Sequence, residues 1–371
     1  MRTKWLVWST GFALFSMFFG SGNLVFPLTV GQESQGHYLL GAVGIILTGV
    51  AVPFLGVFGM LLYKGDLNQF FSIFGKRGTM IFSFCLLALM GPFGVLARCL
   101  TVAHGALLLI FPNVSLALCS LSMCCLIYFF TVNQHKIVSL LGTVLTPFLL
   151  FAIGTIVVFG LQQEASSLSL SPQGEAWASF KNGFFKGYYI MDLLAAFFFS
   201  HFIIKHLNTL NEEDETATFA IFLKASLIGA SLLSGIYFVL TVMGWTYSIQ
   251  LMQKPPQEFL GLIAFETLGK FAGPIVCLAV VFACLTTAII LTSLFAEFLK
   301  KELCRDKMDY KIANLLTLVI GFSVSILEFE GIAKILGPIV EMIYPGLIAL
   351  TLFNILKFFY SKKTSGLLVK S

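Results

Sequence analysis

Apolar residues in this chain do not alternate and do not keep to one face of a helix. They fall in long runs separated by short polar connections, at about 5–30, 38–63, 79–103, 114–132, 137–161, 183–204, 217–247, 271–298, 312–327 and 335–359. A helix crossing a bilayer needs roughly 20 mostly apolar residues. In lipid the backbone must satisfy its own polar groups, and the runs lack the alternation of barrel strands. The pattern predicts an all-α polytopic membrane protein of ten transmembrane helices. Composition sharpens this: 58% of the 371 residues are hydrophobic and 11% are charged, where soluble domains carry about 25% charged residues. That excludes a soluble enzyme, a disordered chain and a nucleic-acid binder.

Charge then sets orientation. With the N-terminus in the cytoplasm, fifteen of the 23 Lys and Arg fall on inner connections and tails, and four on outer ones (Lys181, Lys254, Lys270, Lys334). The other four (Arg98, Lys186, Lys224, Lys357) lie within runs. This positive-inside bias predicts both termini in the cytoplasm and an even helix count. The acidic stretch Glu212-Glu213-Asp214-Glu215 is a solvated inner loop, since acidic residues weigh little in the rule. Met1-Arg2-Thr3-Lys4 before the first run imitates a signal peptide, but no small-residue cleavage site follows, so that run reads as a retained helix. The eight cysteines form no CxxC pair or Cys/His cluster and read as packing residues.

Ten helices suggest two five-helix repeats, 1–161 and 162–371, in one transporter domain. Inverted repeats of this kind place a Gly- or Pro-interrupted helix at matching positions. The first run carries Gly20-Ser21-Gly22-Asn23 and then Pro27; the sixth carries Gly183 and Gly187 before Tyr188-Tyr189. The fifth and tenth both begin Lys-Ile (Lys136-Ile137, Lys334-Ile335), with Pro147 and Pro345 eleven residues after the Lys.

Candidate chemistry follows from the interruptions. Two glycines in three residues weaken a helix interior, and backbone freed at membrane depth must face protein, water, an ion or a substrate. Freed N–H groups suit a carboxylate and freed carbonyls suit Na⁺ or an ammonium; close helix packing through small residues is the structural alternative. Thr286 and Thr287 beside the carbonyl of Ala283 offer hard oxygen ligands, or bond back to their own helix. Asp192 is an intramembrane carboxylate, a functional candidate by default. Glu341 has similar status nearer the outer end, and Arg98 needs an anion, a carbonyl cluster or water. Glu297 precedes Lys300 and Lys301 at helix-pair spacing, and His201 and His206 sit near an inner interface. No HExxH, Walker A or GxGxxG pattern occurs. Gly20-Ser21-Gly22 is like part of an intramembrane serine protease motif, but Phe19 occupies the first glycine position and no His has an argued place beside Ser21. An enzyme is not expected.

At these residues the chain resembles the bacterial branched-chain amino acid:cation symporters, the BrnQ-type or LIVCS family. The resemblance rests on residues 11–27, Gly11 through the Gly20-Ser21-Gly22-Asn23 stretch to Pro27, and on Gly91-Pro92-Phe93-Gly94 with Arg98. It continues through Leu145-Thr146-Pro147, Gly187-Tyr188 with Met191-Asp192, and Ala283-Cys284-Leu285-Thr286-Thr287-Ala288. It implies a LeuT-type fold of two inverted five-helix repeats, helices 1 and 6 unwound at the substrate site, and import of leucine, isoleucine or valine driven by Na⁺ or H⁺ across the bacterial inner membrane. It implies cation ligands from the carbonyls of Ser16, Phe19 and Ala283 and the hydroxyls of Thr286 and Thr287. The substrate would lie against Gly20, Ser21, Gly22 and Asn23 in helix 1 and Gly187, Tyr188 and Asp192 in helix 6. Its carboxylate would meet freed N–H groups near Ser21 and Gly22, and its ammonium the carbonyls of helices 1 and 6. No cofactor beyond the coupling ion is expected, the partners are substrate and lipid, and oligomeric state stays open. Such symporters usually have twelve helices; the ten here cover the five-plus-five core, and the contacts of helices 11 and 12 are left in doubt. A non-transporting amino acid sensor and a transporter of another small neutral amino acid are the alternatives. A channel is disfavoured by the midplane break in the first run.

Overall fold

The computed structural model describes residues 2–34, 36–132, 146–160, 175–210 and 214–368. Every regular element among them is helical. In chain order these are α1 (Arg2–Phe18), α2 (Ser21–Glu33), α3 (Tyr38–Leu62), α4 (Gly75–Met90), α5 (Val95–Leu108), α6 (Leu116–Val132) and α7 (Thr146–Gly160). They continue as α8 (Ala176–Ile190), α9 (Asp192–Leu210), α10 (Glu215–Thr246), α11 (Phe259–Phe298), α12 (Tyr310–Ser325) and α13 (Glu328–Leu368). Among the described residues, six helices are long and apolar enough to cross a membrane, or seven if the bent pair α1–α2 is taken as one span. Leu116–Val132, Leu150–Gly160 and Tyr310–Ser325 are shorter apolar helices in the fourth, fifth and ninth runs. Lys136-Ile137 and Glu212-Glu213 lie outside the described residues.

The helices are interrupted where the chain cannot continue them. Gly20 takes an extended conformation (φ −124°, ψ −157°) between α1 and α2. Met191 is left-handed (φ 71°, ψ 18°) between α8 and α9, an uncommon state for a residue with a side chain. Gly91-Pro92-Phe93-Gly94 forms a turn between α4 and α5, a third break, inside the single apolar run 79–103. Within α3, Leu47–Ala51 widens to a π-turn just before Pro53, whose missing N–H cannot serve an i−4 carbonyl.

The broken helices occupy the centre. Ser21 through Gly31 of α2 and Asp192 through Ser200 of α9 are buried without exception, the condition of a helix enclosed by protein on all sides. Large apolar side chains such as Phe129, Phe151, Ile275 and Leu356 are exposed on outer helices, as a lipid-facing surface requires. Helices meet closely through small residues: a Cβ on Gly183 of α8 would lie 2.1 Å from the Gly41 carbonyl of α3. Dispersion and close backbone approach, not water exclusion, hold such contacts in lipid.

Candidate functional site

Two chain breaks face each other at the centre. At the first, α1 and α2 diverge by 70°. The Gly20 N–H turns to the side-chain oxygen of Asn23 (2.9 Å). In an unbroken helix that N–H would serve the carbonyl of Ser16, so Ser16 loses its ordinary donor. Glycine has no side chain to reciprocate, so this is half of a capping box. The first-turn N–H groups of α2, from Ser21 onward, point back into the break as at any helix start.

At the second break the freed backbone is taken up by side chains from other helices. The Leu193 N–H donates to Tyr344 Oη of α13 (3.2 Å). Arg98 Nη1 donates to the Tyr189 carbonyl (2.6 Å). The Met191 N–H reaches the Tyr188 carbonyl (3.0 Å) and closes α8.

Asn23 ties the two breaks together. Its amide nitrogen donates to Asp192 Oδ2 (2.7 Å) and to Tyr237 Oη of α10 (2.6 Å). Tyr237 Oη also approaches Asp192 Oδ2 at 3.4 Å. Both amide hydrogens and the amide oxygen are therefore engaged. Beside this network lies a small cavity lined by Met17, Asn23, Met90, Met191, Asp192 and Thr287 among others, with about 10 Å³ open to a water-sized centre. That is room for roughly one water. Leucine would need the surrounding side chains to withdraw; Met17, Met90 and Met191 are unbranched and adaptable enough to do so. A larger cavity of about 450 Å³ lies between Phe26, Glu33, Lys186, Tyr189, Glu330 and Lys334, and Lys186 pairs with Glu33 beside it (3.3 Å).

Of the residues expected to hold a cation, Thr287 and Phe19 meet where α11 presses on the first break. Thr287 Oγ1 donates to the Phe19 carbonyl at 3.4 Å, and a Cβ on Gly20 would lie 2.9 Å from Thr287. Only glycine allows this approach. Thr286 Oγ1 donates to the Ala283 carbonyl (2.8 Å), the back-bonded alternative, while its oxygen keeps acceptor capacity. Ser16, Ala283, Thr286 and Thr287 are all buried. Hydroxyl and carbonyl oxygens suit a small hard cation. Among the described residues there is no group of three or more His, Cys, Asp or Glu able to hold a metal.

Other expected residues sit differently. Gly187 does not line the small cavity; it packs on the π-turn of α3, where a Cβ would lie 2.0 Å from Thr48 Oγ1. Tyr188 is buried against Tyr344, ring centroids 4.5 Å apart. The break falls at Met191, beyond both. Glu297 pairs with Lys301 at 2.5 Å, and Glu341 accepts from Tyr189 Oη. Tyr237 and Tyr344 were not anticipated. Neither carries a local signal, because an isolated tyrosine in an apolar run is ordinary.

Comparison with known proteins decides the family. A model described as branched-chain amino acid transport protein matches residues 3–369. The chain belongs to that family. A protein of Staphylococcus epidermidis, provisionally named a branched-chain amino acid carrier, is 28% identical over 96% of this chain and 83% of its own length. A provisionally named carrier of Staphylococcus aureus is 28% identical over 96% of this chain and 84% of its own length. Among solved structures, the manganese transporter of Eremococcus coleocola superposes with a TM-score of 0.63 at 16% identity, covering 93% of this chain and 74% of that one. MhsT, solved with L-phenylalanine, superposes with a TM-score of 0.61 at 14% identity, covering 95% and 98%. A Na⁺-coupled sialic acid symporter gives 0.53 at 12% identity, covering 94% and 78%. At these identities the likeness is one of fold, the LeuT-type arrangement. This member of the branched-chain amino acid transport family is thus a multi-pass membrane transporter and not an enzyme.

Proposed function

We propose that this transporter imports leucine, isoleucine and valine into the bacterial cell by secondary-active symport with Na⁺ or H⁺. It would lie in the cytoplasmic membrane with both termini inside and work by alternating access between two inverted repeats, 1–161 and 162–371. The observation that carries the reading is the pair of facing breaks joined through Asn23. The N-terminus of α2 offers N–H groups to a carboxylate, and Asp192, on the wall of the small cavity, offers a counter-charge to an ammonium. The methionines and Phe199 of the same wall suit an aliphatic side chain. Such a pocket separates homologous aliphatic chains by only about 1–3 kcal/mol per methylene, so overlapping use of the three substrates is expected.

The cation would lie at Ser16, Phe19, Ala283, Thr286 and Thr287. An all-oxygen set favours Na⁺ over H⁺. The same short segment of α1 and α2 would then serve ion and substrate, so that each raises the other's affinity, and linkage makes the gain reciprocal. Leucine uptake into proteoliposomes, with Na⁺ and pH gradients imposed separately, tests the reading. Accumulation driven by an inward Na⁺ gradient alone is the expected result. Binding without accumulation under either gradient would overturn symport in favour of sensing.

A further inference from the structure

In the site as described so far Arg98 only takes up the Tyr189 carbonyl at the second break, yet its surroundings are those of a binding group. It lies in α5, in the first turn after the Gly91–Gly94 break, and is 1% exposed. Nη1 is committed to the Tyr189 carbonyl. Nε and Nη2 are buried and have no hydrogen-bond partner. Those two nitrogens form one edge of the guanidinium. Their N–H bonds run parallel, at the spacing that receives the two oxygens of a carboxylate. A buried charged donor left unpaired is costly, so an edge with both donors free calls for an anion.

Position supports the same conclusion. The guanidinium carbon stands 5.6 Å from the centre of the Phe26 ring. Phe26 and Tyr189 pack edge to face and both line the larger cavity. Arg98 therefore sits behind the wall of that cavity. Its neighbour Cys99 touches the Ser21 hydroxyl at the start of α2 (3.5 Å). Arg98 thus lies between the wall of the larger cavity and the start of α2. Asp192 supplies the opposite charge at the second break, so the two charges could receive the two ends of a zwitterion.

We propose that the Nε–Nη2 edge of Arg98 binds the α-carboxylate of the amino acid substrate and makes the transporter select free amino acids over their uncharged derivatives. This rests on the amino acid import reading and adds a residue to its site. No bond is made or broken.

The test compares binding of leucine and of leucinamide, which keeps the side chain and ammonium but lacks the carboxylate. Purified full-length protein and its Arg98→Gln and Arg98→Lys variants would be used, with size-exclusion profiles checking the fold and the other neutral amino acids as further probes. The native protein should prefer leucine. Arg98→Gln should weaken leucine roughly ten- to a hundredfold, as expected for a charge-assisted pair, and leave leucinamide nearly unchanged, so that the preference collapses. Arg98→Lys, which keeps the charge without the fork, should fall between. A preference for leucine that survives in folded Arg98→Gln, or an equal loss of both ligands, overturns the assignment and leaves branched-chain import standing. If another amino acid binds in place of leucine and its own preference over the amide collapses in Arg98→Gln, the assignment stands and the branched-chain reading fails. Absence of binding by every free amino acid overturns both.

Discussion

Replacing Asp192 by Asn keeps the shape of the side chain and removes its charge. Asp192 accepts from the Asn23 amide at 2.7 Å and lies 3.4 Å from Tyr237 Oη. A hydrogen bond to a charged group contributes about 1.5–3 kcal/mol and a neutral one about 0.5–1.5. Rotating the new amide would let its oxygen still accept from Asn23. The difference, about 1–1.5 kcal/mol, then corresponds to roughly a tenfold loss in the population of the joined breaks. If Asp192 also meets the substrate ammonium, a second bond of the same class is weakened and the loss approaches a hundredfold. The assay is the initial rate of leucine uptake into proteoliposomes across substrate concentrations, with orientation and quantity of protein controlled. Glu297→Gln is the control, because its exposed pair with Lys301 is worth only about 0.3–0.5 kcal/mol and should leave the rate within twofold. Tyr237→Phe deletes one neutral partner of Asn23 and should cost less than Asp192→Asn. Uptake by Asp192→Asn within about twofold of the native rate would refute the reasoning and return the carboxylate to a structural role.

Three further expectations follow from the same geometry. Thr286→Ala combined with Thr287→Ala should abolish Na⁺ stimulation of leucine uptake while the size-exclusion profile stays native; unchanged Na⁺ dependence would remove the ion from this position. Gly22→Leu should block substrate binding, since even a Cβ there would lie 3.3 Å from the Ile190 backbone, and retained affinity would mean that the break does not hold substrate. Asp214 caps α10 by accepting from Thr216 and Ala217 N–H groups and the Thr216 hydroxyl, bonds that hold its carboxyl below the ordinary aspartate range near about 4. A lowered value means that the cap is fully present above that range and is lost as pH falls through the depressed value. Asp214→Ala should therefore raise amide exchange in the first turn of α10 at neutral pH, and equal exchange in variant and native protein would refute the capping role.

Much of the fold was legible because lipid imposes a simple rule on the backbone. Long apolar runs must become helices whatever their neighbours, so the all-helical membrane class could be read from residue order, while the number of spans could not. The break in the first span was legible too, since Gly20 and Gly22 weaken a helix locally. The second break was not placed: Gly183 and Gly187 drew attention by composition, yet both pack tightly on α3, and the turn falls at Met191, which has no intrinsic preference for a left-handed backbone. The turn at Gly91–Gly94 had sequence signals, but its consequence, the placing of Arg98 behind Phe26, depends on other helices.

What residue order alone determined is therefore the set of groups available: a freed backbone near Gly20, an intramembrane carboxylate at Asp192, paired hydroxyls at Thr286 and Thr287, and a buried guanidinium at Arg98. Only the tertiary structure decided which of them meet. Asn23 joins Asp192 and Tyr237 across 169 and 214 positions of chain, and Thr287 reaches Phe19 across 268. Helix formation is governed by neighbours within a few residues and leaves a local mark. Hydrogen bonds across packed helices depend on how the whole bundle closes, and no stretch of sequence records that by itself.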